Sequence, residues 1–122
     1  MTNGERAEHL IKKYGFDFDK IPKDELTGLI QKEISEFKQG SSEYIRLLCG
    51  YLYCISDGSS HDIELIEKSK YSINMDVGCM IDSEWIDSLK NGGCEDNFTR
   101  PRKDIIDDFI SYYTNFHADD EW

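Results

Sequence analysis

The stretch from Tyr44 to Ile55 constrains the fold more than any other part of this chain. It is apolar on nearly every side of a helix, with Arg46 and Gly50 as interruptions. A helix of that kind has to be covered by neighbours on several sides, so the sequence predicts a buried central helix. Its length of about a dozen residues is too short to span a bilayer.

The segments around this stretch show helical periodicity, with apolar residues three and four positions apart. Candidate helices cover 5–14, 22–37, 44–55 and three further segments that begin at Ser60, at Asp82 or Ser83, and at Thr99 with Pro101. Gly15 and Gly92-Gly93 supply stop signals, and Ser41 or Ser42 can cap the central helix. No turn joins two alternating runs as in a β-hairpin. We therefore expect one all-α domain over residues 1–122, with about six helices arranged as antiparallel helical hairpins.

Several local features refine this prediction. Residues 73–80 read as either an extended link or a short helix, because the apolar order is short and Gly78 interrupts it. In the helix that Ser60 caps, Ile63, Ile66 and Tyr71 are expected to face inward. The acidic residues 117–122 are expected to fray at the chain end.

The four cysteines, at positions 49, 54, 79 and 94, do not form a metal-binding pattern. There is neither a C-x-x-C pair nor a closely spaced histidine pair, and a disulfide framework is not expected in a core-forming chain of this size. We expect Cys49 and Cys54 to be buried, reduced thiols, and Cys94 to lie in a loop where it is the cysteine most open to reaction. No metal or other cofactor is predicted.

Catalytic patterns are weak. The chain has no phosphate-binding glycine loop and no H-E-x-x-H motif. His61-Asp62 resembles a metal-ligating pair and could be joined by His9 and His117, so a small metal-dependent hydrolase stays as a less favoured alternative. Both residues are also ordinary in the first turn of a helix, where negative charge is stabilised. We expect no catalytic residues and no enzyme activity.

The charge is unevenly distributed along the chain. Residues 1–46 carry 9 acids and 8 Lys or Arg, whereas residues 47–122 carry 16 acids and 6 Lys or Arg, within a total net charge of −11. Such a field attracts a basic partner and repels the phosphates of nucleic acids. The polar N-terminus lacks the apolar run of a signal peptide, so we expect a cytoplasmic protein that binds neither nucleic acid nor membrane.

Acids and aromatic residues on two segments are the best candidates for partner binding. On the last helix the three- and four-residue spacing predicts one acidic stripe, and of the adjacent Tyr112 and Tyr113 one has to face away from the core. A second acidic cluster surrounds Trp85, which fits either the core or an interface. The predicted partner-binding residues are Asp104, Asp107, Asp108, Tyr112, Tyr113, Asp119, Asp120, Asp82, Glu84 and Asp87.

The segment 43–89, with its apolar helix, Asp-Gly turn, second helix and D-x-G-C-x-I-D link at Asp76 to Asp82, resembles the central hairpin of bacterial immunity proteins. Those proteins neutralise the toxin domains of contact-dependent growth inhibition and related polymorphic toxin systems. The resemblance implies a cognate basic toxin domain, such as a nuclease, as the partner, and occlusion of its active site as the mechanism. A regulatory adaptor for another basic protein is the main alternative.

Overall fold

Seven α-helices and one short 3-10 helix make up the regular structure of the residues that the computed structural model describes, which are 2–36, 43–73, 75–93 and 99–116. The α-helices are α1 (Asn3–Tyr14), α2 (Lys23–Glu36), α3 (Glu43–Ile55), α4 (Ser60–Ser72), α5 (Met75–Met80), α6 (Ser83–Lys90) and α7 (Arg102–Thr114), and the 3-10 helix is Phe18–Lys20. No β-strand occurs within the described ranges. The predicted all-α class is confirmed.

Helix α3 lies at the centre of the fold, as its apolar pattern predicts. Ten of its 13 residues are buried, and α1, α2, α4, α5 and α6 all contact it. Contacts between the consecutive helices α2 and α3, and α3 and α4, are consistent with the predicted hairpins. None of the described helices combines the length and apolar character needed to cross a membrane.

Helices α1 and α6 end close to the glycines that the sequence predicts as stop signals. Gly15 ends α1 with a positive φ of 61°, and its N–H donates to the carbonyl oxygen of Ile11. Gly92 and Gly93 follow α6 with φ of 74° and 81°. Glycine adopts these angles without the steric penalty that a Cβ would add, which is why these positions end helices.

The predicted start of α4 is wrong by one residue. Ser59, not Ser60, is the N-cap, because Ser59 has extended backbone angles and its Oγ accepts a hydrogen bond from the Asp62 N–H. Ser60 is already the first helical residue. Two adjacent serines offer the same side-chain acceptor, and the path of the preceding turn selects between them.

The expectation that Tyr71 faces inward is also wrong, since this side chain is 70% exposed. Asp62, Leu65, Ile66 and Ser69 form the buried side of α4. With 3.6 residues per turn, a residue two positions after Ser69 points to the opposite side of the helix. Ile66 is buried as predicted, while Ile63 packs against the edge of the core.

The segment 73–80 contains the short helix α5, one of its two predicted alternatives, which raises the number of α-helices from about six to seven. Asp82 caps α6 by accepting a hydrogen bond from the Glu84 N–H at 2.9 Å. Pro101 directly precedes α7, while Thr99 is buried before the helix begins and does not act as its cap.

Arg102, at the start of α7, forms hydrogen bonds with the end of α3. Its guanidinium donates to the carbonyl oxygens of Tyr53, Cys54 and Ser56 at 2.8, 3.1 and 2.9 Å. The last carbonyls of a helix have no partner within the helix and carry partial negative charge, so a cation satisfies both needs.

Two of the cysteine predictions can be compared with the structure. Cys49 and Cys54 are buried and free, as predicted, and burial raises the pKa of each thiol to about 12. The expectations for Ser41, Ser42, Cys94 and residues 117–122 lie outside the described residues.

Candidate binding surface

Helix α7 presents three acids, one serine and one tyrosine on its outer side, and we call this surface the α7 face. It consists of Asp104, Asp107, Asp108, Ser111 and Tyr112, all of which are exposed. Their three- and four-residue spacing places them on adjacent turns of the same side. The predicted stripe is therefore present on the surface.

The two adjacent tyrosines of α7 take different positions. Tyr112 is 48% exposed, whereas Tyr113 is 1% exposed and belongs to the core. Only Tyr112 is therefore available as an aromatic contact on the α7 face. Tyr112 and Tyr71 are the large aromatic side chains that stand exposed within the described ranges.

Arg100 joins the second acidic cluster to the α7 face. Its guanidinium donates to Glu84 at 2.9 Å and also pairs with Asp108, and its backbone N–H donates to the other Glu84 oxygen at 2.9 Å. The hydrogen bonds from Arg100 lower the pKa of Glu84. The sequence predicts two separate acidic clusters. In the structure Arg100 connects them, and Arg100 is not among the predicted partner-binding residues.

The other members of the second cluster differ in their surroundings. Asp82 is exposed but serves as the cap of α6, and Asp87 is exposed on the next turn of that helix. Trp85 is only 3% exposed, and its ring stacks on Tyr53 with a centroid distance of 6.3 Å. Trp85 is therefore a core residue and is not exposed as an interface residue.

A partly buried hydrogen-bond network lies directly beneath Tyr112. Glu43, at the start of α3, accepts hydrogen bonds from Tyr112 and Tyr113 at 2.9 and 3.0 Å. Arg46 donates to the Tyr113 hydroxyl at 2.7 Å and to the Met80 carbonyl oxygen at 3.1 Å. Sequence reasoning missed both charged residues, although an arginine inside the most apolar stretch was a signal that it has a fixed partner.

Tyr113 is the neutral hydroxyl of this network. An ordinary tyrosine is already neutral near pH 7, and burial raises the pKa of Tyr113 further above its ordinary value. A neutral hydroxyl donates to Glu43 and accepts from Arg46 at the same time. The negative charge of Glu43 is therefore balanced by Arg46 across the tyrosine hydroxyl.

The His61-Asp62 pair does not form the suggested metal site in the described structure. Asp62 is fully buried, with Lys23 at 2.6 Å and the Ser56 hydroxyl at 2.7 Å from its Oδ2. His61 is exposed and borders a groove of about 290 Å³ between α2 and α4. His9 lines a different groove, and His117 lies outside the described residues. Among the residues described, no three His, Cys, Asp or Glu side chains are placed to share a metal ion.

Asp62 is instead an internal ion-pair partner. Burial alone would raise its pKa, but the hydrogen bonds from Lys23, Ser56 and Ser59 outweigh that effect and lower it. A buried carboxylate is tolerated when its charge is paired in this way. Sequence reasoning placed Asp62 correctly in the first turn of a helix but did not foresee its burial.

The groove that contains His9 is larger, about 410 Å³, and basic in composition, with Arg6 and Lys13 on the same side of α1. Arg6 pairs with Glu33, and Lys13 pairs with Glu25. These pairs neutralise the two cations, so the groove offers little net charge to an anion. The α7 face is the stronger candidate for binding a charged partner.

The fold and this surface define a helical protein with a mixed acidic and aromatic face. A scan against family models, a search of curated proteins and a search of solved structures gave no match.

Proposed function

We propose that this chain is an immunity protein that binds a basic toxin domain and blocks its active site with the α7 face. The observation that carries the proposal is the line formed by Asp104, Asp108 and Tyr112, four residues apart and all exposed on one helix. Acids that share a helix face with an exposed aromatic residue are suited to a protein interface, since the aromatic residue supplies buried area and the acids guide the encounter.

The acids are expected to contribute unequally to capture of the partner. Arg100 pairs with Asp108 and Glu84 and thereby reduces the field at those positions. Asp104 and Asp107 have no ion pair within 4 Å among the described residues. We therefore assign the long-range attraction mainly to Asp104 and Asp107, because unpaired charges steer a partner most strongly.

Occlusion would work through mimicry of charge if the toxin is a nuclease. The active site of a nuclease has to bind phosphates, so it is lined with cations. A row of carboxylates on a rigid helix can occupy such a cleft and exclude the substrate. Rapid association is important because the toxin has to be captured before it acts.

The experiment is a rescue test in cells. The C-terminal domain of the protein encoded immediately upstream of this chain is expressed alone, with this chain, or with its Asp104→Lys/Asp107→Lys variant. We expect growth arrest by the domain alone, full relief by the chain and weaker relief by the variant at equal expression.

Two results would count against the proposal. The proposal is rejected if the domain arrests growth and co-expression of this chain does not relieve the arrest. It is also rejected if the domain alone does not arrest growth. The same surface would then favour a regulatory adaptor for another basic protein, which affinity capture from the source cells would identify.

A further inference from the structure

Glu43, the first residue of α3, accepts hydrogen bonds from two consecutive tyrosines of α7. One carboxylate oxygen accepts from Tyr112 at 2.9 Å and the other accepts from Tyr113 at 3.0 Å. Arg46, three residues later in α3, donates to the Tyr113 hydroxyl at 2.7 Å. Both Glu43 oxygens are therefore used, and the carboxylate has a defined orientation.

The ring of Tyr112 also contacts three other side chains, although about half of the Tyr112 side chain is exposed. The Arg46 guanidinium carbon lies 4.4 Å from its centroid. Tyr113 meets it in an edge contact at 4.7 Å, and Phe116 stacks with it at 6.3 Å and an angle of 27°. By comparison, Tyr71 is 70% exposed, and the ammonium of Lys70 lies 5.7 Å from its centroid.

We propose that Glu43 is a positioning residue that holds Tyr112 in one conformation, so that Tyr112 is a pre-ordered anchor for the basic partner. This inference rests on the proposed function. A side chain that is ordered before binding loses little conformational freedom on association, and a tyrosine offers a large contact area with only two rotatable bonds.

The network also indicates the chemistry of the partner surface. Arg46 balances Glu43 beneath the ring, so the area around Tyr112 carries little net charge, while Asp108 and Asp104 lie one and two turns away along α7. The matching surface has an apolar recess for the ring, flanked on one side by arginine or lysine side chains.

The first test needs no partner. Tyrosine rings of the full chain are labelled with ¹³C, and side-chain rotamers are measured by NMR in the wild type, Glu43→Ala and Glu43→Gln. We expect one χ1 rotamer for Tyr112 in the wild type, averaging in Glu43→Ala and partial recovery in Glu43→Gln. Tyr71 serves as the internal control and is expected to average in all three. Averaging of Tyr112 in the wild type, or no change in Glu43→Ala, would overturn the inference.

The second test measures affinity for the upstream-encoded C-terminal domain by a double-mutant cycle. Glu43→Ala and Tyr112→Phe are each expected to weaken binding about fivefold, and the double variant no more than either alone, because both remove the same restraint. Independent effects would multiply to about 25-fold and would contradict the positioning role.

Matched controls separate positioning from charge and from folding. Glu64→Ala and Tyr71→Phe change exposed residues of α4 and are expected to leave affinity within about twofold of the wild type. Unfolding midpoints are compared for every variant, and Glu43→Gln replaces Glu43→Ala if the latter is unfolded. If the wild type does not bind this domain, the proposed function fails, while the NMR result still decides whether Glu43 positions Tyr112.

Discussion

The ring of Phe109 in α7 occupies the space next to Gly50 in α3 that a Cβ atom would need. Phe109 is 3% exposed, and its ring also meets Tyr51 and Trp85 at centroid distances of 5.5 and 6.2 Å. The absence of a side chain at position 50 therefore allows the Phe109 ring of α7 to lie directly against the backbone of the central helix. The glycine in the most apolar stretch is explained by this contact.

We expect Gly50→Ala to lower the free energy of unfolding by about 1–2 kcal/mol. Alanine favours a helix over glycine by roughly 1 kcal/mol, but the added methyl group overlaps a ring that Tyr51 and Trp85 hold in place. Urea unfolding followed by circular dichroism measures the effect. Gly28→Ala is the matched control, since nothing lies within 4 Å of a Cβ there apart from its chain neighbours and the adjacent backbone of its own helix, and it is expected to stabilise the protein. Equal effects of the two substitutions would contradict the packing argument.

Asp62 is expected to make the stability depend on pH in acid. Its pKa is lowered in the folded state from an ordinary value of 3.8, so the stabilisation is fully present above that value and is lost as the pH falls through the lower folded pKa. Asp62→Asn should therefore lower the free energy of unfolding by about 2 kcal/mol at pH 7, because Lys23 loses its buried partner. The difference from the wild type should shrink below about pH 4.

Unfolding titrations of the wild type and Asp62→Asn at several pH values measure this dependence. Asp57→Asn is the control, because the Asp57 side chain is 79% exposed and lies 3.9 Å from the same lysine. It should change stability by less than about 0.5 kcal/mol. A difference between wild type and Asp62→Asn that does not vary with pH would show that the charge is not the source of the effect.

Removal of the Arg102 side chain should loosen α7 from α3. Arg102→Ala leaves three carbonyl oxygens at the end of α3 without their charged donor, and we expect a loss of about 2 kcal/mol in unfolding free energy. Lys103→Ala removes an exposed cation one residue later and should have an effect within about 0.5 kcal/mol. Thermal unfolding of both variants at the same ionic strength measures the comparison, and equal losses would mean that general charge, not helix capping, is responsible.

Charge reversal on the α7 face should slow capture of a basic partner. We expect Asp104→Lys/Asp107→Lys to reduce the association rate with the upstream-encoded C-terminal domain about tenfold at low salt, with a smaller effect at high salt. The dissociation rate should change less. Surface plasmon resonance at two salt concentrations measures both rates.

Asp24→Lys/Glu64→Lys is the matched control for that experiment, because it changes the net charge equally at exposed positions of α2 and α4. If the charges of the α7 face themselves guide the encounter, this control slows association much less than the α7 variant does. Equal slowing by both pairs would mean that total charge, and not the α7 face, guides the encounter.

Several features of the fold and of the candidate surface could be predicted from sequence because they depend on local pattern. The central position of α3 follows from its apolar surface, and the exposure of Asp104 and Asp108 follows from helical spacing. Adjacent residues on a helix point in different directions, so one of Tyr112 and Tyr113 had to leave the core. Which of the two it is depends on how α7 is rotated against α3.

The contacts that give the surface its character depend on residues far apart in the chain. Glu43 meets Tyr112 across 69 positions, and Arg100 meets Glu84 across 16 positions. Lys23 reaches Asp62 between two helices. Periodicity fixes which side of a helix is apolar but not how two helices are rotated or shifted against each other, and these pairs depend on that relative placement.

The sequence by itself determined the helical class, the buried centre and the acidic character of the last helix, because each follows from the order of apolar and charged residues along one segment. Only the tertiary structure decided that Asp62 is buried, that Tyr71 is exposed, and that Glu43 and Arg46 lie beneath Tyr112. Those outcomes are set by the packing of side chains between helices, where a rotation of one helix exchanges a buried residue for an exposed one.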